Sequence, residues 1–238
     1  MRKNFLLMLA ITALGFSAIA QKNDWDNDNK KRIDGSGNVI TKDIPVKSFN
    51  DLTAYGVFSL QLSQGDKEAV KIEAEDNLID LIIVENEGST LKISMKKDVS
   101  INSKKKMTVY VTFKNLKSMY LSMVGGTSSD EQLKFSELKF KNQSVGSVNL
   151  DMALQTLNLE NESVGTLKLK GSADNAVIKS NSVGSVMAGD FVVQKMEIDN
   201  NGVGSATVNA QKEISISDSF LGRVNNKGNA TVKKRTKS

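Results

Sequence analysis

The chain has 238 residues, with 32 Lys and Arg against 27 Asp and Glu, a net charge of +5, one proline, and neither histidine nor cysteine. The missing thiols exclude disulfides, thiolate metal sites and a lipid-bearing N-terminal cysteine, and the missing imidazoles remove the commonest general base. A balance this mild excludes a dedicated nucleic-acid protein, and a single proline suits long uninterrupted β-ladders.

Residues 1–20 start with Arg2 and Lys3, continue in an apolar run from Phe5 to Leu14, and end in Ser17-Ala18-Ile19-Ala20. That is the layout of a signal peptide with a small-x-small cleavage site, and the apolar run is too short to span a bilayer. The expected mature protein begins at Gln21, carries a net charge of +3 after losing Arg2 and Lys3, and has no transmembrane segment. Export without disulfides points to a bacterial periplasm, cell surface or extracellular space. Residues 21–32 are polar, lack periodicity and read as a linker. Asp24, Asp26 and Asp28 imitate the first ligands of an EF-hand loop, but Asn29 stands where its glycine belongs and Gly35 where its closing glutamate belongs, so no calcium site is expected.

From residue 33 to residue 126, period-2 alternation keeps returning, as in Phe58-Ser59-Leu60-Gln61-Leu62, Val70-Lys71-Ile72-Glu73-Ala74 and Met107-Thr108-Val109-Tyr110-Val111. Residues 76–85, with Leu78, Ile79, Leu81 and Ile82, form the one segment suited to a helical turn. Lys104-Lys105-Lys106 has no interleaved aromatics and reads as a solvated turn.

Between residues 142 and 224 a short phrase returns five times, around Gly146, Gly165, Gly184, Gly204 and Gly222, at spacings of 19, 19, 20 and 18. Fixed spacing of this kind marks a stacked repeat. The predicted fold is all-β, a parallel β-solenoid of the β-helix type, taken as right-handed, with rungs of about 19 residues and a glycine at each corner. Superposed rungs give apolar columns: Phe140, Leu159, Ile178, Ile198 and Ile216, then Leu138, Leu157, Ala176, Met196 and Ile214, and after the glycine Val148, Leu167, Val186, Ala206 and Val224. Leu150, Leu169, Ala188 and Val208 follow, and Asn226 breaks that column. Val145, Val164, Val183, Val203 and Leu221 are also expected to face inward, because they form a fully aliphatic column. Asn142, Asn161, Ser180, Asn200 and Asp218 stack as a polar ladder able to satisfy corner amides, and Lys141, Glu160, Lys179 and Asp199 alternate in sign one position earlier. The domain division is therefore a signal peptide 1–20, a linker 21–32, one solenoid domain 33–232 and a basic tail 233–238.

The phrase from Gly56-Val57-Phe58 to Gln64-Gly65, followed by Val70-Lys71-Ile72-Glu73-Ala74-Glu75-Asp76-Asn77-Leu78, resembles the opening of the head GIN domain family, auto-transporter adhesins common in Bacteroidota. Leu91-Lys92-Ile93 and the corner glycines follow in the family's order, whereas Met123-Val124-Gly125-Gly126 departs from its more Ser/Gly-rich corner. The resemblance implies an exported β-helix-like domain with adhesion as its role, and it supplies no catalytic residues.

No catalytic, cofactor-binding or metal-ligating set stands out. The function expected is a non-enzymatic, adhesin-like or envelope-associated module that binds an envelope or host polysaccharide, or a cell-surface protein, through the solenoid surface. Lys233, Lys234, Arg235 and Lys237 are the candidate contacts for an anionic ligand. The alternatives are a carbohydrate-active β-helix enzyme using acids such as Asp151, Asp174 and Asp190, and a purely structural spacer. Mass spectrometry of the secreted product should find Gln21 at its N-terminus, and a mature protein that retains Met1 would overturn the export reading.

Overall fold

The computed structural model describes residues 31–234. The expected signal segment, the position before Gln21, the aspartates from Asp24 to Asp28, Arg235 and Lys237 lie outside the described residues. The N-terminal part runs β1 (Lys31–Asp34), β2 (Val39–Ile44), β3 (Asp51–Gly56), β4 (Ser59–Gln64), β5 (Ala69–Glu75), β6 (Ile82–Glu87), β7 (Thr90–Met95), β8 (Val99–Asn102), β9 (Thr108–Phe113), β10 (Ser118–Met123) and β11 (Thr127–Ser129). A single 3-10 turn, Ile79–Leu81, occupies the segment suited to a helical turn. The rungs continue in β12 (Leu133–Asn142), β13 (Val148–Asn161), β14 (Leu167–Ser180), β15 (Val186–Asn200) and β16 (Ala206–Asp218), and the fold closes with β17 (Val224–Asn226) and β18 (Thr231–Lys234). Lys31 and Arg32 thus belong to a strand, paired with β8, and so does Lys233, whose backbone is in register with Ser215.

The architecture is a β-solenoid of about six turns. Each long strand serves two faces. In β13 the buried positions are Val148, Leu150, Met152 and Leu154, then the phase shifts at Gln155 and Leu157, Leu159 and Asn161 point inward. Rung follows rung in parallel register: Val148 pairs with Leu167, Leu167 with Val186, and Val186 with Ala206. The inward columns expected from the spacing lie in the core, with Leu150, Leu157, Leu167, Ile178, Ala188 and Ile198 all fully buried. The parallel stack reaches into the N-terminal half, where β3 pairs with β10, and β4 with β9 and β11. Antiparallel pairings of β6 with β7, β5 with β9 and β2 with β5 then end the two faces. Met123-Val124-Gly125-Gly126 is a regular corner, with Val124 bridged to Val145 and Gly125 at φ 150.

One column is corrected. Val145, Val164, Val183 and Val203 are bridged to one another in parallel and are 50–56% exposed, and Leu221 is 60% exposed. Strand alternation continues through the corner: Asn161, Ser163, Gly165 and Leu167 share the inward phase, so Val164 falls on the outer one. Beneath the valines lies a buried polar column of Asn142, Ser144, Asn161, Ser163, Ser180, Ser182 and Asn200. Its members satisfy one another, as buried polar groups must. Asn142 Nδ2 donates to Asn161 Oδ1 at 2.9 Å, Ser163 Oγ donates to the same oxygen at 2.8 Å, and Asn200 Nδ2 donates to the Gly222 carbonyl at 2.7 Å. The Ser144 amide donates to Asn142 Oδ1 at 3.2 Å, which is the corner role expected of this ladder.

The glycines are required by the approach of one corner to the next. Gly146, Gly165, Gly184 and Gly204 hold φ between 132 and 142, and a Cβ on any of them would drive into the carbonyl of the glycine one rung earlier. That column ends at the first corner on buried Phe58, whose carbonyl lies against Gly125. The Phe58 ring lies in the core, and the Ser59 amide next to it donates to the Met107 carbonyl at 2.9 Å, which carries the stack on to β9. At the other end Asn226 interrupts the aliphatic column, and its Oδ1 accepts from the amides of Ala210 at 2.8 Å and Gly228 at 3.2 Å.

The N-terminal cap is pinned by Glu75, a carboxylate with no exposed surface. It accepts hydrogen bonds from Gly37 N at 2.6 Å, Ser103 Oγ at 2.6 Å and Lys104 N at 2.9 Å, tying the β1–β2 turn to the loop after β8. Asn77 supports the same turn by donating to the Asp34 carbonyl and accepting from Ser36 N. The Ser103 hydrogen bond, followed by those from the Gly37, Lys104 and Lys105 amides, outweighs burial and holds the Glu75 carboxyl below its ordinary value of 4.5. A depressed carboxylate stabilises the fold fully above the pKa of the unfolded chain, and that contribution is lost as pH falls through the folded-state value.

Two outcomes are expected. Gly165→Ala should cost about 2–3 kcal/mol and lower the melting temperature by roughly 5–10 °C, whereas Val164→Asp should change it little; equal shifts in a thermal melt would contradict the corner geometry. Glu75→Gln should melt lower near pH 7 and lose less on acidification to about pH 3 than the wild type, while superimposable acid profiles would remove Glu75 from the cap.

Candidate functional site

One departure from a smooth solenoid lies where the cap meets the first rungs. The β9–β10 loop, residues 114–117, stands on one side of it, and the first part of β12, which does not pair with β10, on the other. Between them opens a cleft of about 1010 Å³, lined by Asn50, Asp51, Gln64, Leu116, Lys117 and, across from these, Lys134 to Glu137 and Lys139. Gln64 fastens its rear wall, since its amide nitrogen donates to the Lys114 and Lys134 carbonyls at 3.1 and 2.9 Å and its oxygen accepts from Lys134 N at 2.8 Å. Phe135, half-buried, stacks on buried Phe113 with ring centroids 5.8 Å apart and presents an aromatic surface to the opening.

The charges of the cleft are unequal in their engagement. Asp51 accepts from Ser89 Oγ and Ser118 Oγ, and Glu137 accepts from Asn158 Nδ2 at 3.3 Å. Lys117, Lys134 and Lys139 are exposed and enter no ion pair among the described residues. Three cations around a partly open ring, with the local carboxylates already hydrogen-bonded, suit a ligand that carries both negative charge and a flat apolar face. None of these residues stood out in the sequence. Lys117 and Lys139 sit on strands or loops 22 residues apart, and only the pairing of β10 with β12, which puts Ser118 beside Lys139, brings them to one place.

Of the four cations proposed from the sequence, Lys233 and Lys234 lie in β18, and Arg235 and Lys237 lie outside the described residues. Lys233 is exposed on β18 above a shallow depression lined by Lys195, Glu197, Glu213 and Ile214, where Lys195 pairs with Glu213 at 3.5 Å. Lys234 closes the same strand. The acids of the enzyme alternative are separated by the stacking: Asp151 and Asp190 each stand in register with Lys170 between them, Asp151 accepts from Gln132 Nε2 at 2.9 Å, and Asp174 is exposed on β14. Among the described residues no group of three or more acids forms a possible metal site, and no described helix is long and apolar enough to cross a membrane.

A third surface is the outer corner itself. The valine column from Val124 to Val203 runs the length of the stack, beside the glycines and bordered by the polar Gln143, Glu162, Asn181 and Asn201. Its single acid is turned back on the chain: Gln143 Nε2 donates to Glu162, and Lys141 lies 3.4 Å from it, so that first the Gln143 hydrogen bond and then the Lys141 charge hold the Glu162 carboxyl below its ordinary range.

The comparisons with known proteins agree with this architecture. The chain is similar in structure to a putative adhesin from Bacteroides fragilis, with a TM-score of 0.75 and 29% identity over 85% of this chain and all of that one. A putative lipid binding protein from Parabacteroides distasonis shares the fold with a TM-score of 0.67 and 22% identity, covering 86% of this chain and 95% of that one. A putative adhesin from the same species does so with a TM-score of 0.60 and 20% identity, covering 86% and 96%. No curated protein sequence matches the chain. The family described as putative auto-transporter adhesin, head GIN domain, matches residues 48–230, a stretch that contains buried Phe58, the Glu75 anchor and every glycine corner from Gly125 to Gly222, and the chain belongs to that family.

Proposed function

We propose that this protein is an exported, non-enzymatic adhesin-like module that holds an anionic polysaccharide of the bacterial envelope or a host surface. The observation that carries this reading is the cleft, in which Lys117, Lys134 and Lys139 surround the half-buried ring of Phe135. A sugar ring stacks on an aromatic face while carboxylate or sulfate groups meet the lysines, and cations without internal partners give that attraction its strength. Membership of an adhesin family supports binding as the role. Lys233, Lys234, Arg235 and Lys237 serve in this reading as a second, sequence-tolerant contact for a long polymer, in the manner of linked weak sites.

The test is binding of the mature protein to a sulfated or uronic-acid polysaccharide across a salt series. Affinity should fall as salt rises, because exposed charges are screened over roughly 8 Å at physiological ionic strength. Lys134→Glu with Lys139→Glu should weaken binding at least tenfold and Phe135→Ala several-fold, while Lys233→Glu with Lys234→Glu should have a smaller effect that grows with polymer length. Substitution is preferred to truncation for the tail, because Lys233 and Lys234 are part of β18. Binding that ignores salt and all these changes would overturn the cleft, and newly released reducing ends would establish the enzyme alternative.

A further inference from the structure

We infer that the cleft is the first part of a longer trough, and that the polysaccharide it takes is a linear acidic chain held by an internal stretch lying against both Phe135 and Tyr120; this inference rests on the glycan reading. Beside the cleft, on the outer face of β10 and of β12 to β14, is a second depression of about 430 Å³. Ser118 and Lys139 line both, so the two form one surface. Register explains its relief. Ser118, Lys139, Asn158 and Val177 stand side by side on consecutive strands, and two residues further along these strands stand Tyr120, Lys141, Glu160 and Lys179. Asn158 and Val177 are short, and the longer side chains of the second row rise beside them.

The second depression repeats the chemistry of the cleft. Phe135 is anchored by stacking on Phe113, and Tyr120, also half-buried, is anchored by its hydroxyl, which donates to Gln143 Oε1 at 2.6 Å. The local acid is already engaged, since Glu160 lies 3.4 Å from Lys141, whereas exposed Lys139 and Lys179 enter no ion pair among the described residues. A ring on which a sugar can stack, with a lysine free to meet its carboxylate or sulfate, is thus present twice. Tyr120 is level with Lys141, six residues beyond Phe135 on β12. Contact with both rings therefore takes a chain of roughly 20 Å, at about 3.3 Å per strand residue, which a monosaccharide or a free inorganic anion does not supply. Neither end of the trough is closed. A depression of about 340 Å³ shares Gln64 and Lys134 with the cleft, and another of about 310 Å³ shares Val177 with the far end and leads to Lys233. A chain can run in at one end and out at the other, which suits recognition of its interior and not of a terminal sugar.

Calorimetry of the mature protein with oligogalacturonates of increasing length, and in parallel with heparin oligosaccharides, should show affinity rising steeply until a fragment reaches both rings and only slowly thereafter. Lys179→Gln and Tyr120→Ala should each weaken the long fragments several-fold and leave the shortest fragments that bind unchanged, whereas Lys134→Glu with Lys139→Glu should weaken every length. Chemical reduction of the reducing end should have no effect. Long fragments that bind both the Lys179→Gln and Tyr120→Ala proteins as tightly as the wild type would overturn the trough and leave the cleft reading standing. A requirement for an unmodified chain end would overturn recognition of the interior, and failure of every length to bind would overturn the cleft reading together with this one. Lys179→Gln alters an exposed side chain, so it decides the matter if Tyr120→Ala fails to fold.

Discussion

The contact on which the structure depends is backbone against backbone at the corner. Gly165 stands against the carbonyl of Gly146, Gly184 against that of Gly165 and Gly204 against that of Gly184, closer than any side chain permits. At this distance the amides keep the ladder unbroken around the bend, as in Gly165 N to the Val183 carbonyl and Leu167 N to the Ser185 carbonyl, both 2.9 Å. A strand that continues through a corner without losing hydrogen bonds leaves no polar backbone to be rescued by water or loops. The spacing of 18 to 20 residues between corners is the outward sign of this constraint, since a rung that lost the register would bring a Cβ onto a carbonyl.

The same contact explains a polar column in an otherwise aliphatic interior. At the corner the chain turns too tightly for large side chains to fill the space, and short residues able to bond both sideways and along the stack take their place. Asn142, Asn161 and Asn200 each use the rung beside them as partner, so the column is satisfied only when the rungs are stacked. An unpaired buried amide costs about 1–3 kcal/mol, which makes the register of one rung depend on that of its neighbour and gives the stack the cooperativity expected of nearest-neighbour repeats. The ends need other devices. The buried Glu75 pins the cap at one of them, while Asn226 and the short strands β17 and β18 cover the other.

Regular stacking also sorts the surface into columns, each with one chemistry. Lys141, Glu160, Lys179 and Asp199 stand in register with alternating sign, and the corner presents aliphatic residues beside glycines. The charge column borders a depression of about 430 Å³ whose lining includes Tyr120, Lys141, Glu160 and Lys179. The cleft arises where regularity fails, at the junction of the mixed N-terminal cap with the parallel rungs, and it is there that cations and an aromatic ring converge.

The repeat, the glycine corners, the aliphatic columns and the polar ladder were all legible in the sequence, because stacking forces every rung to repeat the same chemistry at the same place. The valine column was misread for a definite reason. Residue type suggested the interior, but counting by twos from Asn161 to Leu167 passes through Ser163 and Gly165, and parity decides the face of a strand whatever its side chain. Glu75 and Asn77 could be recognised as part of a family phrase, yet their roles as anchor and brace depend on partners 28 to 43 residues away. The cleft belonged wholly to the tertiary structure. Lys117, Lys134, Phe135 and Lys139 follow no period, and they meet only because β12 pairs with β10 on one side and β13 on the other while Gln64 of β4 ties its start at Lys134.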